Sequence, residues 1–417
     1  MVFERPRGVR DFGPDEMRGR LHAESTISRV FESFGYRRVQ TPTFEFLELF
    51  ELKSGSDIRE HLFVFDDKGG RKLCLRPEAT AQVARMYASE LRSLPKPLRV
   101  CYLSQMFRYE EPQKGRYREF WQAGVELLGV SGAEADAEVV CLAAECLKRL
   151  GLRFKLRVSH IGVLRRLLAL QGLEAAEQDD VIHLLDRGDF KSVEGRIKDE
   201  SFKKILGLRG LRDVVGSASE LVSDAGVKAT LEELDKTLTL LDFARVDYEV
   251  DFSMARGLDY YTGMVFDVRV EGLGAQNQVC GGGRYDNLIE LFGGPQTPAV
   301  GFAFGLDRIL ESMQEQGADI PKAETDVYVV PISDDMRGEA FRIAVELRRK
   351  MPDCTVEYEL SGRKLNKALQ HASEINARYA VIVGATELKE QSVMLKDLKT
   401  QKQDKVKITE LSSKIMH

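Results

Sequence analysis

Hydrophobic and polar positions along this chain change period several times, and the changes mark its elements. Residues from about Pro14 to Phe34 carry apolar side chains at helical spacing, with Gly35 as a C-terminal stop. Tyr36 to Pro42 then alternates as a strand. Leu62 to Asp66 and Arg71 to Leu75 read as two strands joined by the turn Asp67-Lys68-Gly69-Gly70. Pro77 stands at a helix start that continues from Glu78 to Leu91. Residues 98–110 and 116–129 alternate as the arms of an antiparallel hairpin. From about 160 to 244 leucine, lysine and glutamate dominate at helical spacing, which predicts a helical insertion. Strand patterns return at Val246 and run through the glycine-rich stretch 272–283 to Phe304, and a helix follows from Leu306. Residues 314–325 read as a linker. Beyond it, strands at 326–331, 355–359, 377–383 and 391–395 alternate with helices near 335–350 and 363–375, a small α/β domain. The expectation is two domains, 1–318 and 325–417. The first is an α+β domain on an antiparallel sheet.

Alternation within the hairpin selects candidate chemistry. Alternate strand residues share a face, so Arg108 and Glu110 point with Ser104 and Met106. On the second arm Phe120, Gln122, Gly124 and Glu126 share one face, and Trp121, Ala123, Val125 and Leu127 the other. The second set is a core face. The first mixes an aromatic ring, an amide, a glycine and a carboxylate, a costly choice for a packed interior, and it reads equally as a ligand-facing or a solvent-facing surface. Three further clusters stand out. Met254 to Gly263 mixes a cation, a carboxylate and two phenols with two glycines that permit a bend, and standing alone it reads as an ordinary strand entry. Cys280-Gly281-Gly282-Gly283 allows a close backbone approach, either to a ligand or in a tight sheet turn. Gly301 to Arg308 turns from strand to helix and places Arg308 in the first helical turn, a position suited to an anion.

Composition narrows the chemistry. The 417 residues hold 61 Lys plus Arg against 66 Asp plus Glu, a net charge of −5 that excludes a bulk-charge coat for nucleic acid. Within 361–407, however, ten basic residues face five acidic ones, so positive charge is concentrated in the second domain. The six cysteines lack CxxC spacing and the six histidines lack HExxH, so no protein-ligated metal is expected. Scattered thiols behind an N-terminus without a secretory apolar core point to the reducing cytoplasm. No apolar run approaches the ~20 residues of a membrane span.

The order of these segments resembles the class II aminoacyl-tRNA synthetases, and within them the histidyl-tRNA synthetases, over nearly the whole chain. Phe107-Arg108-Tyr109-Glu110 resembles the class's motif 2, Gly305-Leu306-Asp307-Arg308 its motif 3, and Gly35 to Pro42 its motif 1, the usual dimer-interface segment. Arg256-Gly257-Leu258-Asp259-Tyr260-Tyr261-Thr262 and Gly282-Gly283-Arg284-Tyr285-Asp286 resemble the two histidine-specific signatures. Arg76-Pro77-Glu78-Ala79-Thr80 resembles the amino-acid-binding segment.

The resemblance implies a class II catalytic domain, a C-terminal anticodon-binding domain and a cytoplasmic homodimer. It implies a reaction in which histidine and ATP, with Mg²⁺, form histidyl-adenylate, and tRNA(His) takes the histidyl group at its 3′ end. It implies that Arg108 contacts the α-phosphate, Glu110 the adenine end, Phe120 the adenine face, and Arg116 and Arg308 the outer phosphates. Arg256 would lie between the histidine carboxylate and the α-phosphate. Glu78, Gln122 and Glu126 would hold the α-ammonium or ring, Tyr261 the imidazole, and Thr80, Tyr260 and Tyr285 would line the same pocket. Glu111 departs from the family, where arginine is frequent, as do Ala79, Asn287 and Trp121. Trp121 falls on the core face, where packing is expected. The alternative is a non-catalytic relative, the regulatory subunit of ATP phosphoribosyltransferase, which shares only the catalytic-domain fold.

Overall fold

The computed structural model describes residues 3–54, 56–111, 116–197, 199–255, 260–273, 277–320 and 325–416. Two compact units divide the chain, residues 1–320 and 321–417.

The first unit opens with α1 (Pro14–Ser33). Pro14 pre-sets the first turn, Asp15 and Glu16 complement its dipole, and Gly35 ends it with φ at +82°. There follow β1 (Arg37–Arg38), β2 (Phe44–Phe46), α2 (Leu47–Ser54), β3 (Val64–Asp66), β4 (Lys72–Leu75) and α3 (Thr80–Met86). The hairpin is β5 (Leu98–Phe107) and β6 (Glu119–Leu128), and behind it come α4 (Ala133–Arg149) and β7 (Phe154–His160). Six helices and a two-residue strand come next: α5 (Ile161–Leu170), α6 (Ala175–Asp186), α7 (Phe190–Arg196), α8 (Glu200–Leu206), β8 (Arg209–Gly210), α9 (Asp213–Glu220) and α10 (Ala225–Phe243). The unit closes with β9 (Glu249–Asp251), β10 (Met264–Val270), β11 (Gln278–Arg284), α11 (Leu288–Leu291), β12 (Ala299–Gly305) and α12 (Leu306–Glu315).

Nine strands form one sheet in the order β1-β5-β6-β12-β11-β10-β7-β9-β8. The neighbours from β5 through β7 run antiparallel. Parallel pairs occur only toward the ends, at β1 with β5 and β7 with β9. Strands β2, β4 and β3 make a separate antiparallel sheet. The helices between 161 and 243 do not own a core. Val163, Leu167, Phe202, Leu231 and Leu238 pack in the same buried cluster as Val125, Phe266 and Phe302 of the sheet. On that face Phe31 of α1 meets the Phe302 ring edge-on at 6.0 Å.

Three local expectations change. The motif 1 strand is confined to Arg37–Arg38, although Val39 still donates to the Cys101 carbonyl at 2.8 Å. The helix expected from Glu78 starts at Thr80 and passes into a π-helical turn over Tyr87–Leu91. The first hairpin arm stops at Phe107. Beyond it the Arg108 amide donates to the Arg118 carbonyl at 2.9 Å, so Glu110 lies outside the alternation that suggested its direction.

The second unit contains β13 (Thr325–Pro331), α13 (Arg337–Lys350), β14 (Val356–Tyr358), α14 (Leu365–Glu374), β15 (Ala377–Val383), α15 (Ala385–Lys389), β16 (Ser392–Asp397), β17 (Gln403–Lys407) and α16 (Leu411–Met416). The sheet order is β14-β13-β15-β16-β17, parallel through β15 and antiparallel after it. Among the described residues of the chain, no helix is long and apolar enough to cross a membrane, and the six cysteines carry no disulfide.

One buried ion pair ties the sheet to α4. Arg284, 3% exposed, donates to Asp136 from Nε at 2.9 Å and also meets Asp286 at 3.0 Å. Asp136→Ala would strand most of that charge in the interior, so residues 1–320 should lose about 3 kcal/mol of stability. A urea titration of the variant should show the lowered midpoint, and an unchanged midpoint would mean that Asp286 alone satisfies the guanidinium.

Candidate active site

The face of the sheet opposite α1 is nearly bare at its centre. Strand register puts Gly124 beside Ala303 and Ala303 beside Gly281, and Glu126 beside Gly301 and Gly301 beside Gly283. The same registers carry Tyr102 opposite Gly124 and Ser104 opposite Gln122. The small residues are required by space. A Cβ on Gly301 would fall on the Glu126 carboxylate and on the Val125 carbonyl, and one on Gly124 would fall on the Tyr102 phenol. The result is a floor of backbone on which larger side chains lie flat.

Glu126 occupies this floor, fully buried. Its carboxylate accepts from Thr80 Oγ1 at 2.8 Å, from the Tyr102 hydroxyl at 3.4 Å and from the Tyr285 hydroxyl. Burial pushes its pKa up to about 8, against the lowering effect of the Tyr285 and Thr80 hydrogen bonds, and the nearby Glu78 charge adds to the rise. The phenols of Tyr102, Tyr260 and Tyr285 are held well above their ordinary value, first by burial and also by neighbouring carboxylates, so they stay neutral donors. Tyr260 packs between Tyr261 and Tyr285, with ring centroids at 4.7 and 5.7 Å. Glu78, also buried, accepts the Thr80 and Ala81 amides at 2.7 and 3.1 Å and so caps α3 with its side chain. The Oε1 atom of Gln122 is buried without a hydrogen-bond partner among the described residues. An acceptor left open in this way can take a hydrogen bond from a bound molecule. Of the expected histidine pocket, Glu78, Thr80, Gln122, Glu126, Tyr260, Tyr261 and Tyr285 are therefore gathered on one face.

Next to this pocket lies a cluster of guanidinium groups. Arg108 donates from Nε to the Pro77 carbonyl at 3.0 Å and sits over the Phe120 ring at 5.2 Å. Arg308, in the first turn of α12, donates to the Gln278 carbonyl at 2.7 Å. Arg116 pairs with Glu110. Burial lowers the pKa of both Arg108 and Arg308. Arg116 repels each of them and Glu110 attracts each. Three cations drawn together against their mutual repulsion make a site for a multiply charged anion. Arg256 and its neighbours through Asp259 fall outside the described residues. A cavity of about 320 Å³ shares Gln278 with the guanidinium cluster, and its lining mixes Arg157, Arg187, Arg209 and Arg269 with Asp186 and Asp267.

Sequence reasoning missed two residues here. Tyr102 faces the floor from β5, two residues before Ser104, where the alternation argument begins. Arg10, in the polar N-terminal segment, pairs with Asp307 at 2.6 Å, and no periodicity marks it. Two of the departures, Glu111 and Trp121, fall outside the pocket, whereas Ala79 is buried between Glu78 and Thr80. Glu111 is met by Arg7 at 2.7 Å, both exposed, a contact worth little in stability. Trp121 lies on the core side, with the Arg20 guanidinium 3.8 Å from its ring.

Comparison with known proteins gives the chain its relatives. A family profile described as Histidyl-tRNA synthetase matches residues 8–309, and one described as Anticodon binding domain matches 326–417. The chain is 46% identical to a Histidine--tRNA ligase of Archaeoglobus fulgidus over 99% of both chains, and 41% identical to that of Methanocaldococcus jannaschii over 99% of both. Its fold superposes on the crystal structure of histidyl-tRNA synthetase from Nostoc sp. with a TM-score of 0.81 at 25% identity, covering 100% of this chain and 99% of that one. The chain belongs to the histidyl-tRNA synthetase family.

Proposed function

We propose that this chain is a histidine–tRNA ligase that joins L-histidine to ATP as histidyl-adenylate and passes the histidyl group to the 3′ end of tRNA(His). The observation that carries the reading is the adjacency of two unlike sites on one sheet face: a buried acid-and-phenol pocket around Glu126, and the guanidinium cluster of Arg108, Arg116 and Arg308.

The roles follow from chemistry. Histidine's α-ammonium needs carboxylates, which Glu78 and Glu126 supply, and Gln122 offers its open acceptor. The imidazole needs groups that both give and take hydrogen bonds, and Tyr260 and Tyr285 stand there as neutral phenols beside Tyr261. A pocket so satisfied by histidine leaves buried polar groups unmatched by another side chain, which discriminates by roughly 10⁴ or more. Attack of the histidine carboxylate on the α-phosphorus accumulates charge on phosphate oxygens. Arg108 would stabilise the α-phosphate and Arg116 and Arg308 the outer ones, with Arg256 between the two substrates. Phe120 would stack on adenine and Glu110 would receive its amino group. ATP therefore exchanges the Glu110–Arg116 ion pair for contacts at both ends of the nucleotide.

Among the described residues no three His, Cys, Asp or Glu side chains gather as a metal site. The reading is that Mg²⁺ arrives on the ATP phosphates, to which it adds charge neutralisation. Residues 325–417, with their basic stretch 361–407, would read the anticodon, and residues 1–318 would catalyse. The working form would be a cytoplasmic homodimer joined through the segment from Gly35 to Pro42.

ATP–pyrophosphate exchange measured with each of the twenty amino acids should respond to histidine alone. Well-folded protein that binds histidine without exchange would instead fit the regulatory-subunit reading. Removing 321–417 should spare exchange and reduce tRNA charging by at least about 100-fold, and equal loss of both activities would contradict separate roles.

Glu126 gives a further test. A carboxyl group raised from its unfolded value to about 8 is protonated at pH 7, and an incoming ammonium would favour its ionised form. Histidine binding at pH 7 should release up to about one proton, visible as a buffer-dependent calorimetric enthalpy that Glu126→Gln abolishes. For stability the sign is opposite to that of a salt-bridged acid. The native state holds this proton more tightly, so its contribution is full below the unfolded value and is lost as pH rises toward about 8. Glu126→Gln should flatten that decline.

A further inference from the structure

Residues 5–12 cross the two segments that carry the outer cations. The Gly8 carbonyl accepts the Arg118 amide at 2.8 Å. Arg10, its side chain 19% exposed, lies between two rings, with its guanidinium carbon 4.3 Å from the centre of Phe12 and 4.6 Å from that of Tyr117. It donates to Asp307 Oδ1 at 2.6 Å, and Asp307 Oδ2 accepts the backbone N–H of Trp121 at 2.9 Å. Tyr117 reaches Glu311 of α12 at 3.4 Å. Beyond Phe12 the stack continues to Arg20 of α1, 5.0 Å from the Phe12 ring and 3.8 Å from the Trp121 ring.

The neighbours of these contacts give them meaning. Asp307 precedes Arg308, and Tyr117 follows Arg116. One partly buried guanidinium thus grips a residue adjoining each of two cations that belong to different segments. The arrangement is costly for packing alone. Arg10 Nε is buried without a hydrogen-bond partner among the described residues, and an apolar side chain between the two rings would fill the space without that penalty.

We propose that Arg10 is a positioning residue for the nucleotide's polyphosphate. Through Asp307 it fixes the first turn of α12 against β6, and through Tyr117 it fixes the base of the motif 2 segment. Arg308 and Arg116 are thereby held at the separation that the outer phosphates require. Two mutually repelling cations do not keep that separation unaided. The inference rests on reading the guanidinium cluster as the polyphosphate site.

The test is steady-state pyrophosphate exchange with the full-length protein. Arg10→Met keeps the packing between the rings and removes the charge. It should raise the ATP KM about tenfold or more while leaving the histidine KM within about twofold. Arg10→Lys should recover part of the loss. Arg10→Met combined with Asp307→Asn should be little worse than either alone, because both break one linkage. An unchanged ATP KM in active Arg10→Met protein, or a rise shared equally by histidine and ATP, would overturn the proposal. Should Arg10→Met unfold, Asp307→Asn, which keeps an acceptor for the Trp121 amide, reads the same split. Absence of histidine-dependent exchange in the unsubstituted protein would defeat the functional reading itself, a distinct outcome.

Discussion

A carboxyl group with no access to water must find hydrogen-bond partners for its oxygens inside the protein, and around Glu126 that requirement organises the centre of the molecule. Its partners come from three directions: Thr80 from the start of α3, Tyr102 from β5 and Tyr285 from the end of β11. Gly301 on the neighbouring strand surrenders its side chain so that the carboxylate fits. Each donor is fixed in turn. Glu78 caps the helix that presents Thr80, and the buried Arg284–Asp136 pair anchors the strand end that presents Tyr285. A hydrogen-bonded acid in a medium of low dielectric is stringent in this way, because a partly satisfied network costs more than an apolar core. The pocket is therefore built before any ligand enters it.

The two faces of the sheet divide the labour. One is packed with Phe31, Phe266 and Phe302 beneath α1, and Gly282 is pressed against Phe302 there. The other is open at Gly281, Ala303 and Gly305. The run of three glycines in β11 serves both sides. Gly282 allows close packing beneath the strand, Gly281 leaves the floor open above it, and Gly283 lets the Tyr261 ring and the Met264 carbonyl come close.

Much of this was legible in the chain because strands alternate strictly. Spacing alone assigns Phe120, Gln122, Gly124 and Glu126 to one face and Trp121, Ala123, Val125 and Leu127 to the other, and the structure places them so. The helix after Gly305 and the place of Arg308 in it were readable for the same reason: the period switches there. Alternation failed where the strand failed. Glu110 lies past the end of β5, and its direction is set by Arg116 and not by pleat. Strand β7 and helix α4 escaped notice although both are long, because their apolar residues merge with flanking patterns and only tertiary packing separates them. Arg10 and Asp307 are nearly three hundred residues apart, and no local rule brings them together.

The bare floor also constrains how such a pocket diverges. At Gly301 and Gly124 an added Cβ meets neighbouring backbone as well as side chains: the Val125 carbonyl in one case, and the Phe302 carbonyl at 2.7 Å in the other. Shrinking a facing side chain would not make room, since the obstruction is the sheet itself. Substitution can therefore remodel the pocket only through its walls, at positions such as Gln122, Tyr260, Tyr261 and Glu78. The floor is set by the sheet, and what the pocket accepts is left to the side chains that stand around it.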